Sequence, residues 1–219
     1  MNQRQRGKFI TLEGGEGVGK STQSKRLAEF LEDRGITVML TREPGGSDGG
    51  EQIRRLLVSG APGRWTPLTE AFLYAAARAD HVAHLIEPAL AEGRWVISDR
   101  FTDSTLAYQG FGHGLPLDAV TQLNALAAGE LKPDLTFILD VPVGDGLARA
   151  RARPDDRDEA AREDRYERMD ENFHRRVAEG YLTIARSEPE RCVVVDTTGP
   201  VDQVARVISA TVGERLLKP

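Results

Sequence analysis

Five short apolar runs punctuate the chain: KFITLE (8–13), TVMLT (37–41), RWVISD (94–99), LTFILD (135–140) and RCVVVD (191–196). Each reads as a buried strand, because its apolar residues run on without the alternation of a strand wetted on one face. Between them, apolar positions recur at helical spacing over 20–34, 49–59, 67–92, 116–128, 166–187 and 201–216. Strands alternating with helices predict right-handed crossovers and a parallel sheet covered on both faces. The expected fold is therefore α/β, a three-layer α/β/α sandwich around five parallel strands. Ligands of such sheets collect beyond the carboxyl ends of the strands. The polar residues Glu13, Arg42, Asp99, Asp140 and Asp196 each end or follow a run, so they cluster at that end. No internal repeat interrupts the pattern, and the nearest thing to a linker is RARARPDDRDEAAREDR (149–165), too charged for core and too long for a tight turn.

The first run stops abruptly in GGEGVGKST (14–22). Gly14, Gly19, Lys20 and Ser21 occupy the fixed places of G-x-x-x-x-G-K-[ST], with a strand before and a helix after. Glycines let successive backbone N–H groups turn inward around phosphate oxygens, and the helix N-terminus adds partial positive charge. The whole stretch Gly14, Gly15, Glu16, Gly17, Val18, Gly19, Lys20, Ser21 and Thr22 is thus read as a nucleoside triphosphate cradle. Lys20 reaches the β- and γ-phosphates, and the Ser21 hydroxyl ligates Mg²⁺. The motif implies ATP and Mg²⁺ as cofactors but is silent about the reaction.

Composition narrows the class. The chain has 219 residues, 40% of them apolar, enough for one sizeable core, so one domain over 1–219 is the default. A formal net charge of -5 argues against a nucleic-acid-binding surface. The single cysteine, Cys192, rules out an intrachain disulfide framework and starts an apolar run, so it reads as a buried thiol in a reducing compartment. Neither an apolar signal region at MNQRQRGK nor any run near the roughly 18 apolar residues of a membrane span is visible, so a cytoplasmic protein is expected. His81 and His84 stand three apart on a helical stretch without a third metal ligand, and His113 and His174 read as solvent-facing or loop residues.

Two reactions compete for the γ-phosphate: transfer to a small acceptor, or hydrolysis in a GTPase-like switch. The Asn-Lys-x-Asp motif with which such switches read guanine is missing. Instead Arg54, Arg78 and Arg100 lie beyond strand ends, where guanidinium groups grip phosphate bidentately. Arg100 directly follows Asp99 at a strand end, beside the nucleotide. Asp99 is expected to orient Mg²⁺ through water.

FITLEGGEGVGKST, TREPGG, YAAAR, VISDRFTDSTLAYQGFGHG, PDLTFILDV and the later DRYE…F…GY resemble bacterial thymidylate kinase, in that family's order and rough spacing from 8 to 185. The resemblance implies phosphoryl transfer from ATP to dTMP, and a homodimer, for which LTEAFLYAAARADHVAHLI (68–86) is the candidate surface. It implies that Arg54 and Arg78 hold the dTMP phosphate, with Arg100 near the transferred group. Tyr74 stacks on thymine, Thr105 and Gln109 hydrogen-bond the base, Tyr108 packs on the deoxyribose, and Glu16 reaches toward the 3′-hydroxyl. It also implies a helical lid at about 144–168 that supplies the catalytic arginine, for which Arg153 and Arg165 are the choices. GGSDGG (45–50) is expected to let the backbone approach the acceptor. Another small-molecule kinase on this scaffold, or a non-catalytic ATP-binding module, are the alternative readings.

Overall fold

The computed structural model describes residues 6–152 and 163–217. Its five strands are β1 (Phe9–Glu13), β2 (Val38–Arg42), β3 (Trp95–Asp99), β4 (Leu135–Asp140) and β5 (Cys192–Asp196). All pair in parallel, in the order β2-β3-β1-β4-β5. β1 is central and wholly buried, and β4 beside it is buried except for its last residue. Both are therefore mostly apolar, with the buried Thr11 and Thr136 hydroxyls bonded to each other at 2.8 Å, which is why they were legible. From the centre the chain builds out first to β3 and β2, then to β4 and β5, and that reversal opens a crevice at the carboxyl ends.

The helices are α1 (Lys20–Glu32), α2 (Asp48–Val58), α3 (Pro67–His81), α4 (Glu87–Ala91), α5 (Thr102–Thr105), α6 (Leu117–Ala128), α7 (Val143–Arg151), α8 (Glu171–Ser187) and α9 (Val201–Leu216). The main core packs α1 and α9 against one face of the sheet, joining Leu27 and Leu31 to Ile10, Phe137, Ile208 and Val212. On the other side, α8 buries Phe173, Val177 and Tyr181 against Ile138 and Tyr108.

Four boundaries differ from the sequence reading. The segment 67–92 is a helix throughout, but its turns widen over Val82–Ile86 between α3 and α4. The segment 102–112 is helical, with widened turns over Leu106–Gly112, where the sequence pattern marked no helix. Val143–Arg151 forms α7, which the apolar spacing left unmarked although the resemblance implied a helical lid from about 144. α8 begins at Glu171 rather than 166, because the Asp170 side chain accepts from Phe173 N and so caps it. No helix among the described residues is long and apolar enough to cross a membrane.

Candidate active site

The cradle is built of backbone. Gly19 caps α1 in the left-handed region, no acidic side chain occupies the first turn, and the N-terminal N–H groups stay directed outward. Gly17, at φ 69°, packs so close to α7 that a Cβ there would sit 1.9 Å from the Gly146 carbonyl oxygen. Lys20 is buried and donates to the carbonyls of Gly15 at 2.7 Å and Gly14 at 3.3 Å. Burial, seconded by Arg100, lowers its ammonium to about 8, while Asp99, Glu16 and Glu13 pull the other way. Ser21 Oγ donates to Asp99 Oδ2 at 2.6 Å. Among the described residues no cluster of three His, Cys, Asp or Glu groups could hold a metal alone. A hydroxyl and a carboxylate beside a phosphate cradle are hard oxygen donors that suit Mg²⁺ completed by substrate phosphates and water.

Arg100 joins the cradle to a neighbouring cavity. It sits at φ 74°, a strained region for a residue with a side chain, held there by its N–H to Leu12 O at 2.9 Å. Its Nη1 donates to Gly14 O at 2.8 Å and Tyr181 Oη at 3.0 Å, and its Nη2 to Glu16 Oε1 and Tyr108 Oη, both at 3.0 Å. Burial opposes ionisation of Glu16, but Arg100 and then Lys20 outweigh it and hold the carboxyl down at about 2. Beneath them Glu13 accepts from Phe101 N, Ser104 Oγ and Tyr181 Oη. Burial, then the nearby Asp103, push its carboxyl up to about 7.

The cavity is lined by Arg54, Tyr74, Arg100, Thr105, Tyr108 and Gln109, among others. Six of the seven acceptor residues expected from the sequence are thus brought together. Arg54 reaches it from α2, donating to Pro44 O at 2.8 Å and paired with Glu163 at 2.6 Å. Arg78 is not part of the lining. It is 1% exposed, and its guanidinium donates to Glu43, Asn124, the Phe101 carbonyl and Thr105 Oγ1. It stands behind Thr105, which does line the cavity.

Arg165 is also spoken for. It is 1% exposed, paired with Glu70 and donating to Leu57 O at 2.6 Å and to Tyr166 Oη. The structure brings it between Leu57 of α2 and Glu70 of α3. Arg153 lies outside the described residues.

Several residues that matter here gave little sign in the sequence. Glu43 grips both Arg78 and His81, and His81, fully buried, also bonds Thr41 Oγ1 at 2.7 Å. Glu70 looked like one more polar position on a helix, yet it accepts from Gln109, Arg165 and Tyr166. Gly46 is needed for packing, since its Cβ would fall 2.4 Å from His81 Nε2. His174, read as solvent-facing or loop-bound, is instead buried on α8. His113 comes within 3.3 Å of Glu70.

A parallel sheet with this cradle and an arginine-lined second cavity defines a P-loop protein built to hold two phosphorylated ligands. The family model described as Thymidylate kinase matches residues 12–208. Thymidylate kinase of Geobacter sulfurreducens is 52% identical over 203 residues, covering 93% of this chain and 95% of that protein. That of Rhizorhabdus wittichii is 52% identical over 205 residues, covering 93% and 96%. The crystal structure of thymidylate kinase from Ehrlichia chaffeensis superposes with a TM-score of 0.75 at 35% identity, covering 94% of this chain and 98% of that one. The chain belongs to the thymidylate kinase family.

Proposed function

We infer that the protein transfers the γ-phosphoryl group of ATP to dTMP, giving dTDP and ADP, with Mg²⁺ held by Ser21 and Asp99. The observation that carries this reading is Arg100, whose guanidinium spans from the cradle carbonyl of Gly14 to Glu16 and Tyr108 in the cavity wall. One cation therefore touches both ligand sites, as transfer between two anions demands.

Little covalent help is needed. The acceptor is a phosphate oxygen already largely anionic at neutral pH, its second pKa being about 6. The work is positioning and charge neutralisation. Lys20 follows the migrating group, and Arg100 offsets the repulsion between donor and acceptor. Arg54 holds the acceptor phosphate, exchanging its partner Glu163 for it. When bound, Mg²⁺ neutralises charge on the β- and γ-oxygens. Tyr74 supplies the stacking face for the base. Tyr108, its hydroxyl fixed by Glu16 at 2.6 Å and by Arg100, packs on the deoxyribose where a ribose 2′-hydroxyl would intrude. Arg153 is the remaining choice for a lid arginine.

A coupled assay of ATP consumption against a panel of nucleoside monophosphates tests the assignment. Turnover should require dTMP and vanish with chelation of Mg²⁺; equal ATP consumption with and without dTMP would overturn it. The reading places the enzyme in the cytoplasm as a homodimer. Support for the dimer comes from Leu68 and Phe72 on α3, 52% and 55% exposed. Sedimentation at micromolar concentration should give the mass of two chains.

A further inference from the structure

Gln109 reads the base in the function proposed above, yet an amide can present either its oxygen or its nitrogen. We propose that Glu70, which lies behind Gln109, decides which, and so makes the site select a pyrimidine with an N3–H over one whose N3 is a bare acceptor.

The argument runs through three buried side chains. Glu70 and Gln109 are each 1% exposed. Gln109 Nε2 lies 2.8 Å from Glu70 Oε1 and 3.3 Å from Tyr166 Oη. Burial opposes the charge on Glu70, but hydrogen bonds from His113 and Tyr166 and the Arg165 cation outweigh it and hold the carboxyl at about 2. An ionised carboxylate only accepts. The atom of Gln109 facing it must therefore be the NH₂. Tyr166 donates its own proton to Glu70, so its oxygen, too, can only accept from that amide. Both supports demand the same orientation, and Gln109 Oε1 is turned away from them toward the cavity that the residue lines.

Thr105 is constrained in the complementary sense. Arg78 Nη2 donates to Thr105 Oγ1 at 3.0 Å, and a guanidinium has nothing with which to accept in return. The hydroxyl proton of Thr105 is left to point elsewhere. Positions 105 and 109 are four apart along one helical stretch and share a face. The wall then offers one donor and one acceptor side by side. A carbonyl next to an N–H, the imide edge of thymine or uracil, matches that pair. Cytosine presents an exocyclic amine next to an unprotonated N3, which puts donor against donor or acceptor against acceptor. Sites that hydrogen-bond a substrate group discriminate strongly, because a mismatch leaves buried polar atoms unpaired.

Glu70 touches no substrate, so it is a positioning residue, and the test must separate that role from simple stabilisation. In Glu70→Gln the new amide can donate to Gln109, letting its NH₂ swing into the cavity. The measurement is kcat/KM for dTMP and for dCMP with one enzyme preparation, whose ratio does not depend on the fraction folded. We expect that ratio to fall by about 10- to 100-fold in the variant, with the KM for ATP unchanged. If Glu70→Gln is insoluble, Gln109→Leu and Tyr166→Phe take its place, and the ratio should fall in both, more in the first. A wild-type ratio retained in Glu70→Gln, or in both substitutes, overturns the proposal. Wild-type enzyme that prefers dTMP beside a variant that keeps that preference sinks this inference alone. Wild-type enzyme that phosphorylates neither nucleotide sinks the functional reading beneath it.

Discussion

The cradle and the acceptor cavity solve similar problems with different materials. The cradle grips through main-chain geometry: Gly14, Gly17 and Gly19 adopt positive φ, and the start of α1 turns its N–H groups outward. The cavity grips through side chains that are themselves held by other side chains. Thr105 rests on Arg78, Gln109 on Glu70 and Tyr166, and Arg100 on Tyr181, Ser104 and Glu16. Backbone sites are written locally, in a few consecutive residues. Side-chain sites are assembled from separate elements, and a substitution at one support travels to the next.

The largest effect should come where the two regions meet. Arg100→Ala removes the cation that bonds groups of both, and kcat should fall by about 10³-fold or more, with ATP affinity nearly kept. Comparable turnover in the variant, measured at saturating nucleotides, would mean that cradle and cavity act independently. Lys20→Ala tests the cradle alone and should cost about 10²- to 10³-fold in kcat.

This contrast also explains what was readable beforehand. The inner strands β1, β3 and β4 and the cradle were legible because burial on both faces demands mostly apolar runs and a tight anion turn demands glycine; β2 and β5, read as buried too, keep exposed positions such as Leu40 and Val194. In the cavity lining, Arg54 and Arg100 could be named from their chemistry, but Tyr74, Thr105, Tyr108 and Gln109 only through the resemblance, since nothing in their spacing marks them. Their supports were invisible for the same reason. Glu43 and Glu70 show as acids near helices, and only the fold brings Glu70 to Gln109, 39 positions away. Arg165 was read as a lid arginine because DRYE resembles the family's lid region. In the fold a carboxylate and a main-chain carbonyl draw it inside.

Arg54→Ala sharpens the comparison from the cavity side. It should raise the KM for dTMP by about 10- to 100-fold, the worth of a lost charge-assisted hydrogen bond, and leave the KM for ATP alone. Equal changes for both substrates would place Arg54 at the cradle instead.

A smaller effect tests the floor shared by both regions. The Glu13 carboxyl is raised from 4.5 to about 7 in the folded protein, so between those values the native state binds the extra proton. Stability from this group is therefore greatest at low pH and declines as pH climbs through 7. Glu13→Gln escapes that decline. Its melting temperature relative to wild type should rise by about 2–4 °C or more between pH 5 and pH 8. A constant difference across that range would show that Glu13 does not titrate there. The smallest effect is expected at Tyr74→Phe, which keeps the stacking ring. The KM for dTMP should change by at most about tenfold, and a larger change would give the hydroxyl a direct role.

Residues 163–169 act as a clasp on the far end of α2. Arg165 N and Nε bond the carbonyls of Val58 and Leu57, and Arg168 reaches that of Gly60. α2 is also the helix that carries Arg54. A displacement of 163–169 would therefore be carried along α2 to the arginine that lines the cavity.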